Sequence, residues 1–298
     1  MNIPTWRCFC LALYSLLSAV PVFAEDAAPI RSFADSLYAE EDYYRAITEY
    51  KRLLHLHPAD PDADSARLAI GLSYFRGEKW DAAIDAFRNI EPGDDDPFWS
   101  RRAQLLLGES SYRKGDVPDA LDAFGSYARS SADDFTPDAR MRAAQCLILL
   151  GKKPPALVSE GSASGADRLG AFSRRMEEVP RIPRKSPALA GALSAILPGA
   201  GQLYVRRPRD AGISFLLNGS LIALAIIAFD NDEPVAGGLI SAVEVSWYAG
   251  NVYGAVNGAH KFNRSERRRF IDRLDVECGI MRGADTLPVP GGRIGVQF

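Results

Sequence analysis

Three stretches decide the fold: PIRSFADSLYAEEDYYRAITEYKRL (29–53), ARLAIGLSYFRGEKWDAAIDAFRNI (66–90) and AQLLLGESSYRKGDVPDALDAFGSY (103–127). They align without gaps. A small residue (Ala34, Gly71 or Gly108) is followed twelve positions later by an alanine (Ala46, Ala83 or Ala120). Four positions further on stands an aromatic, Tyr50, Phe87 or Phe124. The alanines recur every 37 residues. A period of this size marks one supersecondary unit repeated along the chain. Helix packing supplies the reason. Small residues on two facing helices allow close approach, and the aromatic one turn later fills the adjoining hole. Gly115, and Gly77 one place off the same register, fall at the tight turn between the helices. The joints at 58–64, 92–97 and 133–137 are rich in Pro and Asp, which end helices.

This pattern resembles the tetratricopeptide repeat (TPR) family. The resemblance implies antiparallel helix pairs stacked into a curved surface that binds peptides or other proteins. The spacing exceeds that family's usual repeat of about 34 residues, and the surplus falls in the joints. It is similar to the spacing of periplasmic TPR proteins of the outer-membrane assembly and Tol systems. A fourth, degenerate unit continues with Ala143, Ala144, Leu147 and Gly151, and Pro154 and Pro155 stand where its second helix should begin. Residues 137–159 are therefore expected to form a terminal cap. Tyr38, Tyr44, Tyr74 and Tyr112 are candidates either for the groove or for the core. A rigid spacer without a ligand is the alternative to a protein-binding adaptor.

The chain has 298 residues, 47% hydrophobic and 24% charged, with net charge −3. These values exclude collagen, a disulfide-rich miniprotein and wholesale disorder. They conceal a division: acidic side chains are in excess over residues 25–170 and basic ones over 171–298. The acidic part carries no electrostatic footprint for nucleic acid. Residues 1–24 read as a signal peptide. Arg7 precedes an apolar stretch from Cys8 to Val20, Pro21 breaks it, and Val22 and Ala24 are small residues before Glu25. An uncleaved anchor is the alternative. Either way the repeats are exported. Cys146 and Cys278 are far apart, and no metal-ligand spacing is present, so neither disulfide, metal nor cofactor is expected. His55 and His57 point to different sides of a helix, and Asp94 to Asp96 read as a solvated joint. No GxSxG, HExxH, Walker loop or dinucleotide fingerprint occurs. The chain is read as a non-enzyme.

Three apolar runs come next along the chain, at 187–205, 211–229 and 235–259. Each is near the ~20 residues that a bilayer-spanning helix needs. Arg206, Arg207 and Arg209 separate the first two, and Asp230, Asp232 and Glu233 separate the second from the third. Lys261, Arg264, Arg267, Arg268 and Arg269 stand after the third. The positive-inside rule puts both basic clusters in the cytoplasm. With exported repeats this predicts about three spans and a cytoplasmic C-terminus, although Pro198, Gly199 and Gly201 interrupt run one. The segment SAILPGAGQLYVRRPRDAGISFLLN resembles small bacterial two-helix membrane modules carrying a PGxGQxY turn. Its motif residues here are Pro198, Gly199, Gly201, Gln202 and Tyr204, and YAGNVYGAVNGAHKFN (248–263) resembles the second signature. That resemblance implies place rather than chemistry. Glu244, Asn251 and Asn257 are the intramembrane polar candidates, with Asn218 a further interhelical one. Gly250, Gly254 and Gly258 form a small-xxx-small ladder.

The expected fold class is all-α, a TPR-like helical-hairpin solenoid followed by a helical transmembrane domain. The expected divisions are a signal peptide (1–24), repeat domain (27–160), linker (161–186), membrane domain (187–262), and a basic amphipathic helix and tail (263–298). The expected function is a membrane-anchored periplasmic adaptor in the bacterial inner membrane. Its partners would be an envelope protein or peptide held in the TPR groove and the lipid bilayer. The alternative is a transport or sensing module with its polar site at Glu244, regulated by the repeats.

Overall fold

The turns between paired helices all close in one way, and this sets the architecture. A computed structural model describes residues 26–90, 98–130, 133–157, 163–278 and 280. Helices α1 (Ala27–Ala39) and α2 (Tyr43–Leu56), α3 (Ala63–Arg76) and α4 (Trp80–Arg88), and α5 (Phe98–Lys114) and α6 (Val117–Ser130) form three hairpins. In the first, Asp42 N–H donates to Leu37 O and Glu41 N–H to Tyr38 O. Lys79 and Glu78 make the same bonds to Tyr74 and Phe75, and Asp116 and Gly115 make them to Ser111 and Tyr112. This paired closure needs one left-handed residue. It falls on Glu41 (φ 63°), Glu78 (φ 56°) and Gly115 (φ 93°), which keep the period of the sequence. Gly77 stands one residue before the strained position and keeps negative φ.

The small-to-aromatic contact read from the sequence is present. A methyl group on Gly71 would overlap the Phe87 ring, and one on Gly108 would lie 2.8 Å from the Phe124 ring. Ala34, Ala46, Ala83 and Ala120 are fully buried. Tyr50 is buried as well, and its hydroxyl donates to Asp35 Oδ1 at 2.6 Å.

The chain divides between Ala103 and Gln104 into two compact units. In the first, α1 packs on α2, α2 on α3 and α3 on α4. In the second, α6 packs on α7 (Thr136–Leu149) and α7 on α8 (Ala163–Met176). Residues 152–157, including Pro154 and Pro155, are irregular, so the expected break after α7 is real. The segment beyond that break, expected as a linker, is part of the core. Leu169, Phe172, Val179 and Ile182 are buried with Met141, Ala144 and Ile148 of α7 in one cluster.

Four more helices complete the second unit: α9 (Pro187–Ile196), α10 (Ala200–Tyr204), α11 (Pro208–Asp230) and α12 (Pro234–Glu277). Run one is therefore two short helices and not a span. Its longer piece, ten residues, covers about 15 Å, half of a bilayer core. Helix α12, with 44 residues, continues for about 66 Å. Its last turns are not a surface helix resting on lipid. Phe270, Ile271 and Leu274 face inward as the sequence suggested, but they enter the core formed by α7 and α8. The leader 1–24, the joint with Asp94 to Asp96, and the tail from 281 lie outside the described residues.

Candidate functional site

The motif residues assemble into a tight knot where α9, α10 and α12 meet. Pro198 ends α9, and the residue before it, Leu197, is extended (φ −138°, ψ 117°), as proline requires of its predecessor. Gly199 then turns the chain at φ +89°, with its Cα against the Ala211 carbonyl. A side chain there would be strained and would also collide with backbone. Gly201 lies against the Ala190 carbonyl, Ser194 Oγ and Ala255 Cβ, with no room for a Cβ. Its N–H donates to Ser194 Oγ at 3.1 Å.

That crowding presents Gln202 to three partners. Its Oε1 accepts from Ser194 Oγ at 2.8 Å, and its Nε2 donates to Asn251 Oδ1 at 2.6 Å and to the Asn251 carbonyl at 3.0 Å. Tyr204 Oη accepts from Ser186 N–H at 3.2 Å, and Lys185 Nζ sits 4.3 Å above its ring. Asn263 clamps the same irregular segment. Its Oδ1 accepts from Lys185 N–H at 2.7 Å and its Nδ2 donates to Lys185 O at 2.8 Å. Tyr248 Oη donates to Ala195 O at 3.2 Å. The two sequence signatures thus bond to each other, one from α9–α10 and one from α12. Every bond serves positioning, and none presents a nucleophile or a general base to solvent.

Helices α11 and α12 form an antiparallel hairpin. Gly237 lies against Phe229 and Gly258 against Val205 and Arg207. The buried face of α12 repeats every seven residues through Gly237, Glu244, Asn251 and Gly258, the period of a left-handed supercoiled seam. The expected glycine ladder is not this seam, because Gly250 has nothing near it. Asn257 is exposed and stands outside the network. Glu244 is only 7% exposed, and neither carboxylate oxygen has a hydrogen-bond partner. Asn218 of α11 is fully buried. Its Nδ2 donates to Ser214 O at 2.6 Å, and its Oδ1 is unpartnered. Outward, the hairpin shows Phe215, Leu216, Ile226, Val235, Leu239, Val245 and Tyr253, each more than half exposed.

A charged cluster not singled out from sequence ties α12 to α5 and α7. Arg142 is 3% exposed. Its Nε lies 3.4 Å from Glu109 Oε2, without hydrogen-bond alignment, and its Nη1 lies 3.3 Å from both Asp275 oxygens. Gln145 Nε2 also donates to Asp275 Oδ1, at 2.7 Å. Arg142 and Arg268 lie 5.2 and 5.3 Å from the centre of the Tyr112 ring. Beside them, Arg168 pairs with Asp138 and donates to the Cys278 carbonyl at 3.3 Å, and Arg175 meets Glu277 at 2.6 Å. Arg142 and Asp275 are 133 positions apart. The available signal was the apolar stripe Phe270, Ile271, Leu274 with Asp275 next to it.

Burial pushes the Tyr112 hydroxyl up to about 12, against the opposing pull of Arg142 and Arg268. Burial likewise pushes the Cys146 thiol from 9.0 up to about 12. Both groups fold best neutral, so their contribution is fully present below their unfolded values. It is lost as pH rises through the folded ones. The melting temperature is expected to fall between pH 9 and 12, starting with Cys146. In the folded protein below pH 9 the Cys146 thiol should resist iodoacetamide, and rapid alkylation there would contradict the packing described.

Of the four candidate tyrosines, Tyr38 and Tyr112 are core, Tyr44 is 83% exposed, and Tyr74 is half-buried, its hydroxyl 3.2 Å from Lys51 Nζ. Compared with known proteins, residues 32–97 match the family described as tetratricopeptide repeat. No curated protein and no solved structure matches the chain. Repeats of this family are scaffolds for protein–protein interaction and are typically non-enzymatic.

Proposed function

We propose that the chain is a membrane-anchored adaptor whose repeat domain binds another protein of the bacterial envelope. The observation that carries the anchoring is the bare apolar surface of the hairpin. Only 17% of the most apolar stretch of α11 is buried, whereas a soluble core helix of that composition would be covered. The 23 residues of α11 reach about 34 Å, enough to cross a bilayer core. The first half of α12 returns beside it. Two crossings leave both ends of the hairpin on the side of α7 and α8, because Asp275 meets Arg142 there.

The leader, as the first topogenic segment, dominates orientation and sends that side to the periplasm of an inner-membrane protein. With two crossings in place of the expected three, the basic clusters then lie in the periplasm, against the positive-inside expectation, and the acidic turn at Asn231 in the cytoplasm. Impermeant maleimide applied to cells with a permeabilised outer membrane should label Asp119→Cys and spare Asn231→Cys. The reverse pattern would put the repeats in the cytoplasm and overturn the export reading. Resistance to alkaline carbonate extraction tests the anchor itself. In-cell cross-linking tests the adaptor role, with a variant lacking residues 27–90 as control. A stoichiometric partner lost in that variant supports it, and no partner in either sinks it.

A second reading rests on Glu244, whose buried carboxyl has no partner. An anchor tolerates Glu244→Gln. A transport or sensing site loses its cellular function while the cross-linked partner stays bound.

A further inference from the structure

Within the second unit a cavity of about 690 Å³ opens where α12 leaves the apolar zone. One wall is apolar, from Val117, Leu149 and Leu150. The other carries Lys261, Arg264 and Arg268 at i, i+3 and i+7, one face of α12. Among the described residues, neither Lys261 nor Arg264 has an ion-pair partner, and Arg268 rests on the Tyr112 ring at 5.3 Å. Positive charge accumulates around them. Arg267 lies with its guanidinium against Gly151 and its Nε buried and unbonded. Burial first, then the charges of Arg184 and Arg264, draw Arg267 below its ordinary value. The nearby carboxylate of Glu266 is already taken by Arg269 at 2.7 Å.

The position along α12 says which anion fits. Between Tyr253 and the far end of the helix at Val276, α12 exposes no large apolar side chain, and Tyr253 is an aromatic of the kind that sits at the membrane–water boundary. Lys261 comes eight residues later, about 12 Å along the axis, at headgroup depth. A soluble anion needs only the cations. The apolar wall beside them suits a molecule with a charged head and a greasy body.

We propose that this cavity is a site for the phosphate headgroup of an anionic phospholipid, with Lys261 and Arg264 holding the phosphate and Leu149, Leu150 and Val117 flanking its glycerol end. The site rests on the membrane reading above. It fixes the repeat cap against the bilayer through one bound lipid.

The test uses the full chain reconstituted in nanodiscs of equal phosphatidylcholine and phosphatidylglycerol, then released into mild detergent for native mass spectrometry. Wild type should retain phosphatidylglycerol over phosphatidylcholine. The exposed pair Lys261→Ala/Arg264→Ala should lower that preference about thirtyfold, since each of the two cations near a membrane surface contributes about 1 kcal/mol. Arg269→Ala, which removes a cation already paired with Glu266, should leave it unchanged. Unchanged far-UV melting of the double variant keeps the comparison one of binding. Equal retention of both lipids by wild type, or undiminished preference in the double variant, overturns the site. Full displacement of the lipid by inorganic phosphate alone also overturns it, because the pocket would then be selecting a soluble anion. Carbonate extraction of the same cells reports separately on the anchor, so the site can fail while the anchor stands.

Discussion

Replacing Arg142 by leucine is expected to destabilise the second unit by about 3–5 kcal/mol, the largest loss for any single charged side chain here. Arg142 is 96% covered at its side chain and stands between Glu109 and Asp275. Glu109 keeps Arg113 at 2.9 Å, but Asp275 is left with Gln145 alone. A partly buried carboxylate without its cation bears its desolvation cost unaided. Urea unfolding of the full chain in detergent measures the effect. Changing Asp275 to leucine in the same molecule should recover part of the loss, because removing both charges is cheaper than stranding one. Arg269→Leu, which breaks only an exposed pair with Glu266, should stay within about 1 kcal/mol of wild type. Equal effects at Arg142 and Arg269 would mean that the cluster is a surface feature and the docking of α12 is not as described.

Gly201→Val should be comparably severe, at about 3 kcal/mol or more, the upper range for overpacking. The new atoms meet the Ala190 carbonyl, Ser194 Oγ and Ala255. Two of these cannot move without shifting α9 or α12. The displacement also carries Gln202 away from Asn251, stranding the polar groups that pair there. Gly254 offers the control. Its nearest contact is Gln202 Nε2 at 3.9 Å, so Gly254→Ala should be close to neutral. A thermal melt of both variants in the same detergent decides it. If Gly201→Val melts with the wild type, the motif is not a packing knot.

The repeats were legible because their signal is redundant. The small residue, the alanine and the aromatic recur at fixed spacing, and each pair meets through one contact, as Gly108 and Phe124 do. The PGxGQxY residues were legible as a unit because proline and glycine leave few backbone choices, but their partner Asn251 could be placed only once α12 was seen to run beside them. Run one was misread because length and apolarity do not reveal a fold-back. Ser194 and Gln202, the polar residues inside it, bond to each other. Residues 163–182 looked like a linker because several arginines, and Pro180, Pro183 and Pro187 at and just past its end, hid the buried spacing of Leu169, Phe172, Val179 and Ile182. The amphipathic stripe of Phe270, Ile271 and Leu274 was read correctly as a stripe and assigned to the wrong surface. Periodicity says that a face is apolar and does not say what covers it.

The docking of the last helix on α7 and α8 has a consequence for how the molecule is made. Translation delivers α7 more than a hundred residues before Ile271 and Leu274 emerge. Until then Met141, Ile148 and Phe172 lack part of their cover. Contacts this distant form late and slowly. A nascent chain therefore carries an unfinished cap while its hairpin is being inserted, and the cap closes only when synthesis is nearly over. A transcript ending before residue 270 would encode every repeat and yet yield a protein whose incomplete core marks it for degradation.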